Sequence, residues 1–171
     1  MEEFVNPSKV LNQLSLSHSM SAADFGCGSG GWAIPLAREL KEGKVYAIDV
    51  MGSSIQTLNS KAQLYKISNI ETIEANVEKK TPLFPGSCDL VLMTNLLFQS
   101  DDIKSVLEEG KRVLKEEGRI LVVDWIKDNP LTKEIENLDF NKLKLIAGEV
   151  GLKVNEEFQA GIYHKALILV K

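Results

Sequence analysis

Cysteine and histidine are scarce in this chain, with only Cys27, Cys88, His18 and His164. The two cysteines form no CxxC pair and have no histidine nearby, so a structural zinc site is not expected and the metal-ligand set reads as none. Long apolar runs are missing as well. None approaches the roughly 20 residues that a membrane-crossing helix needs. The opening Met1-Glu2-Glu3-Phe4 is acidic and lacks the basic-then-apolar pattern of a secretion signal, which makes a cytoplasmic location the expectation. In that compartment a disulfide is not expected. Positive charge is not in excess either. The 20 Lys and Arg against 24 Asp and Glu leave a net charge of −4, which supplies no general attraction to phosphate backbones and argues against a nucleic-acid partner.

What is present is a globular composition without internal repeats. The 171 residues suit one domain, 1–171, with residues 1–20 as an N-terminal helical cap segment. Apolar runs of β type alternate with helical patterns, which predicts an α/β fold with a largely parallel sheet. A helix over 7–16 would bury Val10, Leu11 and Leu14, with Pro7 in its first turn. It would pack on the sheet or cover a ligand. Strands are expected at 22–25, 44–49, 71–75, 89–94 and 119–125. Helices fall between them, at about 32–40, after a cap at Ser53 or Ser54, and from the Asp101-Asp102 pair onward. The last of these carries Ile103, Val106, Leu107, Val113 and Leu114 on one face and is stopped by Gly118. Glu108-Glu109 and Glu116-Glu117 read as solvated helix surface. The segment 127–139 is polar and reads as a lid or a surface connection.

The final third predicts a helix over 141–150, ended by Gly151, and two strands, 152–158 and 163–170. Only a few residues around Gly161 separate these strands, so they must be antiparallel, because a parallel crossover needs a dozen or more. The sheet is therefore expected to be parallel for five strands and to close with a hairpin.

The chemistry is concentrated in Asp24-Phe25-Gly26-Cys27-Gly28-Ser29-Gly30-Gly31. A strand runs directly into four glycines, and a helix follows at once. Glycine there allows positive φ and lets a ligand lie against bare backbone, and the helix N-terminus offers free N–H groups. Asp49, at the end of the second strand, stands where a carboxylate would grip two ribose hydroxyls. Gly26, Gly28 and Gly31 also satisfy the GxGxxG of dinucleotide enzymes, a weak signal alone. Asp24 favours a ligand with an ammonium over one with a pyrophosphate. A leading helix before the glycine strand and a closing hairpin after the fifth strand point the same way.

On these residues the chain resembles the class I S-adenosylmethionine-dependent methyltransferases. Residues 23–30 look like their first motif and 45–50, Val-Tyr-Ala-Ile-Asp-Val, like their second. The overall pattern is similar to the ubiquinone/menaquinone-biosynthesis and arsenite methyltransferase-like branch, and it covers nearly the whole chain. The resemblance implies a Rossmann-like three-layer sandwich with a mostly parallel seven-stranded sheet and a C-terminal antiparallel hairpin. It also implies S-adenosylmethionine as cofactor and methyltransferase activity on a small, partly apolar molecule. Gly26, Cys27, Gly28 and Gly30 would line the methionine portion, with Asp24 holding its ammonium directly or through water. Asp49 would take the ribose, Val50 and Met51 would flank the adenine, and Asn76 and Val77, after Ala75, would meet its edge. Asn95 and Leu96 would lie beneath the sulfonium.

The acceptor is less defined. Phe98, Gln99 and Trp125, after the fourth and fifth strands, are expected to line its pocket. Gln99, Asp124 and His164 are the candidate catalytic or polar groups, although His164 reads more simply as a half-exposed hairpin residue. Relatives that methylate exocyclic amines carry two central prolines in the loop after strand four. Here Leu96 and Leu97 stand between Asn95 and Phe98, which argues against such acceptors. One thiol outside the glycine loop, Cys88, argues against arsenite. An RNA or protein methyltransferase, and a non-catalytic cofactor-binding subunit whose pocket a partner or a second copy completes as a homodimer, are the alternative readings.

Overall fold

The computed structural model describes residues 4–126 and 138–171. Twelve regular elements follow one another in these residues. They are α1 (Pro7–Leu11), β1 (Ser21–Phe25), α2 (Ala33–Glu39), β2 (Lys44–Asp49), α3 (Gly52–Leu64), β3 (Ile70–Glu74), β4 (Cys88–Thr94), α4 (Ile103–Val113), β5 (Leu114–Trp125), α5 (Phe140–Glu149), β6 (Lys153–Gly161) and β7 (His164–Val170). The strands form one seven-stranded sheet in the order β3-β2-β1-β4-β5-β7-β6. The first five are parallel to one another, and β7 is antiparallel to both β5 and β6. The expected parallel sheet and closing hairpin are both present. The last strand lies inside the sheet, and β6 forms its edge.

Alternation along β1 divides the core into two layers. Ala22 joins Leu36, Leu58 and Leu92 on the face covered by α1, α2 and α3. Ala23 and Phe25 join Val106, Leu107 and Leu143 on the face covered by α4 and α5. The central strands are apolar on both faces, as a parallel sheet covered on both sides requires. Strand order reverses at β1, which pairs with β2 on one side and β4 on the other. In such sheets ligands bind beyond the carboxyl ends of the strands at this switch point.

Several boundaries depart from expectation. The first helix ends at Leu11 and continues as a 3-10 turn, Asn12–Leu14, where Ser15 turns left-handed at φ 49°. It still buries Val10, Leu11 and Leu14, and the Leu14 carbonyl accepts a bond from Arg119, which ties it to the sheet. Helix α3 starts at Gly52, with no side-chain cap from Ser53 or Ser54. Leu114 does not continue the face of α4. Its ψ of 134° is extended, and it opens β5 opposite Cys88. Gly118 therefore lies within a strand and stops no helix. A Cβ there would meet Leu114 Cδ1 at 2.7 Å and the Asp89 carbonyl oxygen at 3.1 Å, so the irregular start of the β4–β5 ladder needs glycine.

Glu109 is not solvated surface but 6 % exposed. Its carboxylate accepts from the Thr81 N–H and hydroxyl, at 2.8 and 2.6 Å, and pairs with Arg112 at 2.6 Å. Glu116 and Glu117 are exposed as expected but stand on β5. Of the segment read as a lid or connection, 127–137 lies outside the described residues, and Asp139 caps α5 by accepting from the Asn141 and Lys142 N–H groups.

Candidate active site

At the carboxyl ends of β1, β2, β3 and β4 lies a cleft of about 590 Å³. This is a volume typical of small-molecule sites. The glycine loop forms its floor. Gly26 and Gly28 take positive φ, 71° and 51°, which glycine adopts without strain. The space where a Gly28 Cβ would stand is open to 4 Å, leaving backbone exposed to a ligand. Asp49 both faces the cleft and holds this loop. Its Oδ2 accepts the Gly28 N–H at 2.8 Å and its Oδ1 the Met51 N–H at 2.9 Å. On α3, Lys61 donates to the Ser29 carbonyl and hydroxyl, both at 3.1 Å, and closes the loop from the other side.

Of the residues expected at the cofactor, Gly26, Cys27, Gly28, Asp49, Val50, Met51, Asn76, Val77, Asn95 and Leu96 line this cleft. Asp24 and Gly30 do not. Gly30, at φ 90°, faces α3 and Ile34, where an added Cβ would meet Leu58 Cδ1 at 2.4 Å. It permits close packing of loop and helix. Asp24 is fully buried behind the loop, and neither carboxylate oxygen has a hydrogen-bond partner. Desolvation, reinforced by the charge of Asp49, pushes its pKa up to about 8, and the nearby Ala33 N–H offsets only part of this. Burial likewise raises the Cys27 thiol, which keeps it protonated.

The acceptor-side expectations divide. Gln99 lines the cleft, with its amide donating to the Asn95 carbonyl at 2.8 Å. Phe98 is not among the residues lining this cleft. It walls a second hollow with Leu143 and Ile146 of α5 and packs against the core beneath α4 and α5. Trp125 is half-buried, also off the cleft lining, and its ring lies 4.0 Å from that of His164.

Asp124 is fully buried and braces the backbone. It accepts the Leu97, Phe98 and Trp125 N–H groups at 3.0, 3.2 and 2.8 Å, and burial raises its pKa to about 6. His164 is 1 % exposed, a correction to the half-exposed reading. Its Nε2 lies 2.9 Å from Asn95 Oδ1, its Nδ1 has no partner, and burial lowers its pKa to about 4.

Sequence reasoning missed Ser29, Gly31, Trp32, Ser54, Glu78, Thr94, Ser100 and Asp101 in the lining. Glu78 is the informative one. Its carboxylate accepts the Asp101 N–H at 2.8 Å and so joins the loop after β3 to the start of α4. Its place two residues beyond Asn76, whose Oδ1 accepts the Glu78 N–H, was the available signal. With Asp49 and Asp101 it makes three carboxyl groups among the described lining residues, which include no Lys, Arg or His.

A doubly wound parallel sheet closed by a hairpin, with a carboxylate-lined cleft over a glycine loop, defines the class of methyltransferase folds. Residues 22–118 match the family model described as a methyltransferase domain, and the chain belongs to that family. It is 27% identical over 154 residues to the demethylmenaquinone methyltransferase of Lactococcus lactis subsp. lactis (strain IL1403), covering 89% of this chain and 61% of that protein. It is also 27% identical over 151 residues to the demethylmenaquinone methyltransferase of Shouchella clausii (strain KSM-K16), with 87% and 64% covered. The chain thus spans about three fifths of the length of these relatives. Among solved structures, a SAM-dependent methyltransferase from Aquifex aeolicus superimposes with a TM-score of 0.89 at 27% identity, covering 96% of this chain and 89% of that one.

Proposed function

We propose that this chain transfers a methyl group from S-adenosylmethionine to a small, partly apolar molecule. The observation that carries this reading is the charge of the cleft. Asp49, Glu78 and Asp101, with no cationic side chain among the described lining residues, suit a ligand of net positive charge and oppose a pyrophosphate. Asp24, buried behind the loop with no hydrogen-bond partner, is held as the neutral acid by desolvation, and an ammonium docked on that side would favour its ionised form. Both observations fit S-adenosylmethionine.

When bound, that cofactor supplies a methyl group already activated on a sulfonium, which leaves alignment and exclusion of water to the protein. Gly26 and Gly28 would present bare backbone to its amino-acid portion. Asp49 would take the ribose hydroxyls with its remaining lone pairs. Val50 and Met51, at 59% and 58% exposure, are apolar surfaces open to cover the adenine, and Asn76 and Val77 would meet its edge. Gln99 and Ser100, past β4, stand where an acceptor would approach. Phe98 and Trp125 would shape that approach from behind the lining. The names of the relatives, which include a sterol 4-C-methyltransferase of Caenorhabditis elegans, support an acceptor of apolar character.

Two measurements test the reading. S-adenosylhomocysteine should stabilise the fold by about 2.7 kcal/mol at a hundredfold excess over its Kd, and NAD should not. A shift with NAD alone would reverse the cofactor assignment. Methyl-labelled cofactor incubated with separated metabolites, RNA and protein should label the metabolites. Label confined to RNA or protein would overturn the acceptor class.

A further inference from the structure

Strand β7 begins with a buried histidine that is not among the residues lining the cleft. His164 stands opposite Trp125 in the β5–β7 ladder, and its Nε2 reaches Asn95 Oδ1 at 2.9 Å. Asn95 lines the cleft, and three features fix its backbone. It takes φ 49°, its N–H donates to the Val123 carbonyl at 2.8 Å, and its own carbonyl accepts from Gln99. Its main chain is therefore fixed, and the direction of its carboxamide is left to His164.

The proton on the imidazole follows from its surroundings. Nδ1 is buried with no partner. A buried N–H without an acceptor is costlier and rarer than a bare lone pair. The neutral ring therefore carries its proton on Nε2 and donates it to Asn95 Oδ1. The carboxamide oxygen is then engaged, and the amide N–H2 is the end available to the cleft. Ring contact with Trp125 holds the imidazole in place.

We propose that His164 is a positioning residue, which turns the Asn95 amide into a hydrogen-bond donor for the carboxylate at the amino-acid end of the bound cofactor. The proposal rests on the cofactor reading above. Strand order gives the direction. Asp49 at the end of β2 and Asn76 after β3 serve the nucleoside, so the amino-acid end points toward β1 and β4, where Asn95 stands. With three carboxyl groups and no cation among the described lining residues, a ligand carboxylate there is best met by neutral donors. The N–H groups of Gly26, Cys27, Gly28 and Gly30 are already bonded within the fold, and the Asn95 amide is a neutral donor at this end. The C-terminal hairpin thereby acts on the cleft through one hydrogen bond.

The test compares two ligands that differ in this carboxylate. S-adenosylhomocysteine carries it, and 5′-methylthioadenosine lacks the whole amino-acid portion. His164→Leu keeps an apolar side chain of intermediate size without a donor, and His164→Gln restores an N–H. By calorimetry, His164→Leu should weaken S-adenosylhomocysteine about tenfold, the scale of one charge-assisted bond, and leave 5′-methylthioadenosine within about twofold. His164→Gln should recover most of the loss. An equal loss for both ligands, or no rescue by glutamine, would overturn the proposal, since either marks a role in packing alone. Long-range ¹⁵N spectra of the wild-type imidazole should show Nε2 protonated and Nδ1 bare at pH 7. A proton on Nδ1 would overturn it independently. Should the wild-type chain bind neither nucleoside, the cofactor reading fails, and these spectra still decide whether His164 orients Asn95.

Discussion

Asp49 shows how much one side chain can carry. It accepts two backbone N–H groups, from Gly28 in the loop and from Met51 at the start of α3, and it still faces the cleft. Asp49→Ala should therefore remove a ligand contact and loosen the loop together. Each bond to a charged group is worth about 1.5–3 kcal/mol, so affinity for S-adenosylhomocysteine should fall by at least that amount. Because no core volume is lost, the melting temperature should drop only a few degrees. Calorimetry showing unchanged affinity would refute the ribose contact. The position of Asp49 was legible because strand end and glycine loop are set by local pattern. Its bond to Gly28 was not, because it joins residues 21 apart whose approach depends on the β1–β2 pairing.

At the level of elements, the glycine loop is a joint between α2, α3 and the sheet, and its glycines do different work. Gly30→Ala would place a Cβ 2.4 Å from Leu58 Cδ1 and force a left-handed φ on alanine. We expect a loss of about 1–3 kcal/mol in denaturant melts, from overpacking together with backbone strain. Gly31→Ala meets nothing within 4 Å and has no positive φ, so it should leave stability within about 0.5 kcal/mol. Equal costs at both positions would show that Gly30 is not packed against α3. The sequence identified four glycines of one loop. Which of them the ligand sees depends on where α3 docks.

Over the whole molecule, the buried ionisable groups predict an unusual pH response. Asp24 has its pKa raised from 3.8 to about 8 and Asp124 from 3.8 to about 6, so the folded state holds protons that the unfolded chain releases. Each contributes stability that is present below the unfolded pKa and is lost as pH rises through the folded one. His164, lowered from 6.5 to about 4, acts oppositely, and its contribution is lost as pH falls through that window. Above about pH 7.5, Asp24 alone of the three is still titrating. Stability of the ligand-free chain should fall with rising pH there, and Asp24→Asn should flatten the slope and raise the melting temperature at pH 8. A slope that survives Asp24→Asn would show that the carboxyl group is already ionised in the fold.

The order of elements, the five parallel strands, the closing hairpin and the ligand loop were all determined by the sequence alone. Each rests on periodicity, a turn or a connection length, and these are properties of neighbouring residues. Tertiary structure decided which side chains the cleft receives. Phe98 turns toward α5, and Asp124 turns inward to brace the backbone after β4. Glu109 is buried against Thr81 and Arg112, and His164 reaches Asn95 across 69 residues. For a polar residue in a strand or at a strand end, the pattern names a face but not a partner. Whether it meets water, a ligand or another buried group is settled only when distant strands pair, because burying it without a hydrogen bond costs more than the local pattern can offset.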